Sequence, residues 1–166
     1  AAALAVRRLI AIGHVRIGLI AGPETSPGAR QRELGYLDAM AEHGLDRGPA
    51  LIVPGDDTFE SGIAAARLLL EISPRPTAIL ACNDDMAAGA LHAAVDAGVA
   101  VPDALSLVGF DDSPLARRLM PPLASVRVPW DRIGHEAALR IADESAAPLA
   151  PFDGQLVERA SIAPSG

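Results

Sequence analysis

The side chains able to do chemistry recur at one kind of place in this chain, directly after short apolar runs. Arg30 and Arg32 follow the first run and its Gly22-Pro23 turn, and Asp56 and Asp57 follow the second. Asn83-Asp84-Asp85 follows the third, Asp111-Asp112 the fourth, and Pro129-Trp130-Asp131 the fifth. Carboxylates accept from neighbouring hydroxyls, an amide both accepts and donates, and a guanidinium donates in a fixed fork. An indole ring covers the apolar face of a sugar. Together these groups suit recognition of a polyhydroxylated small molecule. Several have a second reading. Asp57 and Asp84 stand where helix N-caps stand. Trp130 is also of a size that fills cores, and Arg32 fits a solvated helix face equally well. Asp111 ends a run with no helix start beside it, so the ligand reading leads there.

Bond-breaking chemistry finds less support. The chain has no GxGxxG, no GxxxxGK[ST], no GxSxG elbow and no HExxH. All 14 basic residues are Arg, so no lysine is present for a Schiff base. The acidic pairs resemble the Mg²⁺ sites of phosphate-receiving signalling domains, but those also need a lysine. His14, His43, His92 and His135 are scattered, and the first two flank glycines at helix ends, where a histidine often serves as a cap. The reading is therefore non-enzymatic, with no metal and no cofactor. A net charge of −7 repels a phosphate backbone, which argues against direct DNA binding by this region. Cys82 lies in an apolar run and reads as a small core residue. The apolar start, Ala1 to Ile12, is interrupted by Arg7 and Arg8 and is too short to span a bilayer. It begins without Met, as though inside a helix, which suggests an excised chain.

The elements that must position these side chains alternate strand and helix. Strands are expected at Ile17–Ala21, Leu51–Val53, Ala78–Cys82, Leu105–Phe110 and Ser125–Val128, with a last one near Leu156–Arg159. Most lack polar alternation, as strands covered on both faces do. One intervening helix carries Leu34, Leu37, Met40 and Ala41 on a stripe, and another carries Phe59, Ile63, Ala66 and Leu70. Ser26-Pro27 reads as an N-cap with proline at the first helical position. Asp57 and Glu60 have capping-box spacing. Gly13, Gly44 and Gly98 sit where left-handed helix ends fall. A softer Ala- and Pro-rich stretch runs from Ser145 to Gly154. Repeated β–α–β steps predict an α/β fold, a three-layer αβα sandwich with a mostly parallel sheet. Ligands in such folds bind outside the carboxyl ends of the strands, where the polar residues above collect.

Five motifs, in order, then resemble one family. Gly13-His14-Val15-Arg16-Ile17-Gly18-Leu19-Ile20-Ala21-Gly22-Pro23 resembles the GHxxIxxIxGP segment of LacI/GalR-type transcriptional repressors. Arg32-Glu33-Leu34-Gly35-Tyr36 is similar to their R-x-x-G-[YFW]. Pro76-Thr77-Ala78-Ile79, with Cys82-Asn83-Asp84-Asp85-Met86-Ala87-Ala88-Gly89-Ala90, resembles PTAI…xNDxMAxGA. Val101-Pro102-Asp103 through Ser106-Leu107-Val108-Gly109-Phe110-Asp111-Asp112 resembles VPxDxSxxGFDD, and Pro122-Leu123-Ala124-Ser125-Val126 resembles PPLTTV. The likeness runs from about Ala5 to Ser161.

The resemblance implies a type I periplasmic-binding-protein-like fold and a cytoplasmic, ligand-sensing regulator. It implies that the chain is the C-terminal lobe of a two-lobed module, with residues of about 126–145 belonging to the other lobe. The N-terminal DNA-binding head is then absent, and operator DNA is reached only through that head. Carried over by position, Arg32, Asn83, Asp111 and Trp130 contact the effector, a sugar or related metabolite. Asp57 stands where relatives often place a stacking aromatic, and Gly28 where a hydroxyl residue is common. Asp57 thus favours a more polar ligand. The helix after Asn83 is apolar nearly all round, and the family's homodimer contact places Leu91, Leu119 and Met120 near the subunit boundary. The alternative is an extracytoplasmic sugar-binding protein of a transport system, which shares the fold.

Overall fold

Apolar runs without alternation become strands buried on both sides. In the computed structural model, which describes residues 1–142 and 153–166, β1 (Ile17–Ala21), β3 (Ala78–Ala81) and β4 (Ser106–Phe110) are buried at every position. With β2 (Ile52–Pro54), β5 (Ala124–Arg127) and β6 (Gln155–Val157) they form one sheet in the order β2-β1-β3-β4-β5-β6. The first five strands are parallel, and β6 runs antiparallel to β5. Helices α1 (Ala2–Ala11) and α2 (Pro27–Glu42) pack together, as do α3 (Phe59–Glu71) and α4 (Asp84–Asp96). The two pairs cover opposite faces of the sheet, which gives the three layers expected. A fifth helix, α5 (Trp130–Ala142), follows β5. The 145–154 stretch lies largely outside the described residues.

The chain leaves β1 towards β2 and then returns past β1 to β3. Strand order therefore reverses between β1 and β3, and their carboxyl ends flank the crevice such a reversal creates. The core beneath it is aliphatic, with Leu19, Ile20, Ile79, Leu80, Val108 and Met86 almost wholly shielded.

Several helix ends follow the sequence closely. Ser26 Oγ accepts from Ala29 N at 3.3 Å, with Pro27 at the first helical position. Gly13, Gly44 and Gly98 have φ of +101°, +64° and +65°, the left-handed conformation that ends helices cheaply only at glycine. The capping box at Asp57 does not form. Thr58 is the N-cap of α3, its Oγ1 accepting from Ser61 N at 3.2 Å. Asp57 has φ +71°, whereas an N-cap residue needs extended backbone.

Both apolar stripes form in part, with Leu37 and Met40 of α2 and Ile63, Ala66 and Leu70 of α3 facing the core. Helix α2 buries Ala29, Tyr36, Ala39 and Met40, leaving Leu34 at 39% exposure and Ala41 at the surface. Helix α3 buries Gly62, Ala65, Ala66 and Leu69, and Phe59 lies at the surface. In α3 the small residues of the buried face reflect backbone proximity to α4. A Cβ built on Gly62 would lie 2.3 Å from Met86 O, and one on Gly89 would lie 2.1 Å from Phe59 O. Helices this close select small residues for the contact and push large ones to its margin.

Candidate functional site

Arg32 projects from the second turn of α2 towards the strand ends and is gripped on three sides. Its Nη1 donates to the Cys82 carbonyl at 2.6 Å, and its Nη2 donates to Asp111 Oδ1 at 3.2 Å. Its guanidinium carbon lies 4.1 Å from the centre of the Phe110 ring. A guanidinium carries five N–H donors in one plane. Here two are anchored and a cation–π contact fixes the plane, so the others are held in a set direction at the rim.

Asp111 follows β4 in a conformation few residues adopt. Its φ is +97° and that of Asp112 is +51°, each outside the ordinary region for a side chain with a Cβ. Such residues cost about 1–3 kcal/mol each and persist where their surroundings over-determine them. Asp111 N donates to Val126 O at 2.8 Å, which keeps the turn against β5. The Asp111 carboxylate accepts from Arg32, and the Trp130 side chain is close enough to stabilise its charged form. Burial pushes its pKa above the ordinary carboxylate value, opposed by Arg32 and Trp130 and reinforced by the charges of Asp57 and Asp85. Trp130 is 52% exposed, so it is not core. Arg32, Asp111 and Trp130 are thus neighbours along the rim.

Asn83 and Asp57 meet beside that row. Asn83 Oδ1 accepts from Met86 N at 2.8 Å as the N-cap of α4, and its Nδ2 donates to Asp57 O at 2.9 Å. The amide therefore braces the two loops, and the exposed Asp57 carboxylate stands at their edge. Gly22 makes the approach possible, since a Cβ there would lie 2.8 Å from that of Ala29 and 3.0 Å from Asp57 Oδ1. On the same rim, a depression of about 310 Å³ is lined by Gly22, Pro23, Glu24, Arg30 and Glu33.

Asp84 and Asp112 serve the fold. Asp84 neither caps a helix nor reaches the rim. Buried beneath it, Asp84 accepts from Ser113 N and from Ser125 Oγ, both at 2.6 Å. A Cβ on Gly109 would lie 2.3 Å from Asp84 Oδ1, so the glycine makes room for this carboxylate. Asp112 is also buried. Burial alone would raise its pKa, but hydrogen bonds from Arg159 and Arg127 prevail and hold it below the usual value. Sequence reasoning missed Phe110, Arg127 and Arg159. Phe110 was visible within the Gly-Phe-Asp-Asp motif, but the arginines carry no local signal, being 15 and 47 residues from Asp112.

His43 and His14 are held by structural contacts. His43 Nδ1 lies 2.9 Å from Ala39 O at the end of α2. His14 is not a helix cap: its Nδ1 lies 2.9 Å from Thr77 Oγ1 and its Nε2 3.0 Å from Ala163 O. Burial lowers its pKa. It lines a depression of about 200 Å³ at the opposite ends of the strands, away from the row above. Cys82 is buried, and its thiol is pushed up to about 11. Of the three residues expected at a subunit contact, Leu91 is packed within the chain's own core and Leu119 is partly buried. Met120 is 84% exposed. Helix α4 is covered largely by α3 and the sheet of the same chain.

Comparison with known proteins gives this architecture a family. The model of the periplasmic binding protein-like domain matches residues 6–162. The chain belongs to that family. Its relatives include transcriptional regulators. The HTH-type transcriptional regulator AscG of Escherichia coli is 39% identical over 166 residues, covering 97% of this chain and 49% of AscG. Two solved LacI-family structures superpose closely. The regulator CelR in complex with cellobiose gives a TM-score of 0.90 at 36% identity, covering 96% of this chain and 50% of CelR. The lac repressor dimer bound to operator and the anti-inducer ONPF gives 0.90 at 30% identity, covering 97% of this chain and 57% of that one. The chain thus spans about half the length of the relatives it matches. Among the described residues no helix is long and apolar enough to cross a membrane.

Proposed function

We propose that this chain is the effector-sensing C-terminal lobe of a LacI-family transcriptional regulator that acts in the cytoplasm. The row Arg32–Asp111–Trp130 carries this reading, because it presents fixed donors, a carboxylate and an aromatic face along one strand-end rim. Such a surface holds ring hydroxyls on one side and covers a sugar face on the other. A small sugar is the effector class that fits, in keeping with the cellobiose bound to CelR. Asp57, exposed at the edge, shifts preference towards a strongly polar ligand. In this reading residues of about 126–145 return to the other lobe, and a DNA-binding head elsewhere in the parent protein contacts the operator. No catalysis is assigned.

The test is operator release. Full-length protein, encoded by the parent gene, is placed on its operator and challenged with a panel of mono- and disaccharides and nucleosides. At least one member is expected to change operator affinity tenfold or more, about 1.4 kcal/mol of coupling. A coding sequence with a signal peptide and no DNA-binding head upstream of Ala1 would refute the reading in favour of a transport protein.

We also propose a twofold homodimer that brings Met120 to the subunit boundary, with Leu119 and Leu91 behind it. Light scattering of the full-length protein at tens of micromolar is expected to give twice the chain mass. The mass of a single chain would remove the dimer from the account.

A further inference from the structure

Two consecutive left-handed residues that are not glycine need something to hold them, and the holding groups lie off the rim. Asp112 is almost wholly buried, at 1% side-chain exposure, between two guanidinium groups. Its Oδ2 accepts from Arg127 Nε at 2.7 Å and from Arg127 Nη2 at 2.6 Å, and its Oδ1 accepts from Arg159 Nη2. Arg159 Nη1 also donates to Leu123 O at 2.7 Å, which ties the segment after β6 to the approach to β5. The Asp112 N–H donates to Ser125 Oγ at 3.0 Å, and that hydroxyl donates to Asp84. The turn is therefore clamped from β5 and from the segment after β6. Arg127 is the last residue of β5, three positions before Trp130.

We propose that Arg127 and Arg159, acting through Asp112, are positioning residues that aim the Asp111 carboxylate at Arg32 and Trp130. Their consequence for effector binding rests on the effector reading above; the positioning itself does not. Without the clamp only the backbone N–H bonds of the turn, to Val126 O, Ser125 Oγ and Asp84, oppose its relaxation to ordinary backbone, which would carry the Asp111 carboxylate off the rim. The arrangement also means that the strand leading to Trp130 and the turn bearing Asp111 move as one piece.

The chain reports on this without any ligand, because Trp130 is its one tryptophan and its side chain acts on the Asp111 carboxylate. The probe is the single indole N–H resonance of the ¹⁵N-labelled chain, followed against pH. The charged groups acting on Asp111 are Arg32, Asp57 and Asp85. In the wild type the indole resonance is expected to step as Asp111 protonates, and Asp111→Asn identifies that step by abolishing it. Arg127→Gln is expected to abolish the step as well while the spectrum stays dispersed, since Arg127 is 47% exposed. Arg127→Lys, which keeps the charge, is expected to restore part of it.

A clamp that merely stabilises the fold predicts otherwise. Loss of a nearby positive charge would then raise the midpoint with the step intact, and that result in Arg127→Gln would overturn the proposal. Should Arg127→Gln fail to fold, Arg127→Lys decides: a reduced step supports positioning, and an unaltered one refutes it. Loss of sugar responsiveness in the parent protein with these titrations as expected would remove the effector reading alone.

Discussion

Replacing Asp111 by asparagine should weaken effector binding by the full-length regulator about 100-fold while leaving operator affinity unchanged. A carboxylate holding two ligand hydroxyls makes two charge-assisted hydrogen bonds, each worth about 1.5 kcal/mol or more, and a total of about 3 kcal/mol is roughly two decades of affinity. Asparagine keeps the size and tolerates φ +97°, so the backbone is little disturbed, whereas alanine there would add strain. The pH dependence follows from the raised pKa of Asp111. The carboxylate protonates above the ordinary value of 3.8, so wild-type affinity should decline as the pH falls through that higher value. The affinity of Asp111→Asn should be flat over the same interval. Calorimetric titrations of both proteins across that range check the size and the sign together.

The second large effect concerns stability. Gly89→Ala is expected to destabilise the chain by about 3 kcal/mol, at the upper end of ordinary overpacking costs. Alanine is the better helix former by up to about 1 kcal/mol, so propensity alone predicts the opposite sign. Geometry decides against it. The new methyl would lie 2.1 Å from Phe59 O, 2.8 Å from Ile63 N and 3.1 Å from Gly62 C, all backbone atoms that cannot rotate away. Helices α3 and α4 would have to separate, and α4 begins at Asn83, which braces the rim. For a domain of this size the cost corresponds to a fall in Tm of roughly 6–12 °C. Gly28→Ala is the control, because its Cβ would meet only Ser26 Oγ at 3.9 Å. It should be neutral or slightly stabilising. Urea denaturation of the three proteins distinguishes these outcomes.

Much of this was legible in the residues because strands and caps are local. Ile17–Ala21 reads as a strand from composition alone and forms one with the same bounds. Ser26-Pro27 and the three helix-ending glycines behave as their backbone preferences require. What the residues concealed was set by distant partners. The stripe through Phe59, Ile63, Ala66 and Leu70 follows helical periodicity, yet α3 also buries Gly62 and Ala65, and Gly62 meets the α4 backbone directly. Asp57 and Glu60 have the spacing of a cap, but the loop's hydrogen bond to Asn83 accompanies a left-handed Asp57 and hands the cap to Thr58.

The candidate site divides along the same line. Arg32, Asp111 and Trp130 read as separate strand-end residues, and the fold brings them to one rim, with Arg32 hydrogen-bonded to Asp111 and Trp130 beside it. Asn83 stands among them, yet its amide is occupied in holding the α3 entry to α4. The carboxylates of Asp84 and Asp112, indistinguishable in sequence from their neighbours Asp85 and Asp111, turn inward to serines and arginines. Which of two adjacent aspartates faces the rim depends on backbone φ, and single-sequence patterns do not encode it.

The central claim is that the effector lies on the carboxyl-end rim beside β1, β3 and β4. Hydrogen–deuterium exchange of the full-length regulator, with and without a saturating sugar drawn from the operator-release panel, tests it most directly. Slowed exchange is expected at the loop after Gly22, at Asn83–Asp85, at Asp111 and Asp112, and at the start of α5 around Trp130. Protection confined to the other end of the sheet, around His14, Thr77 and Asp103, would contradict it.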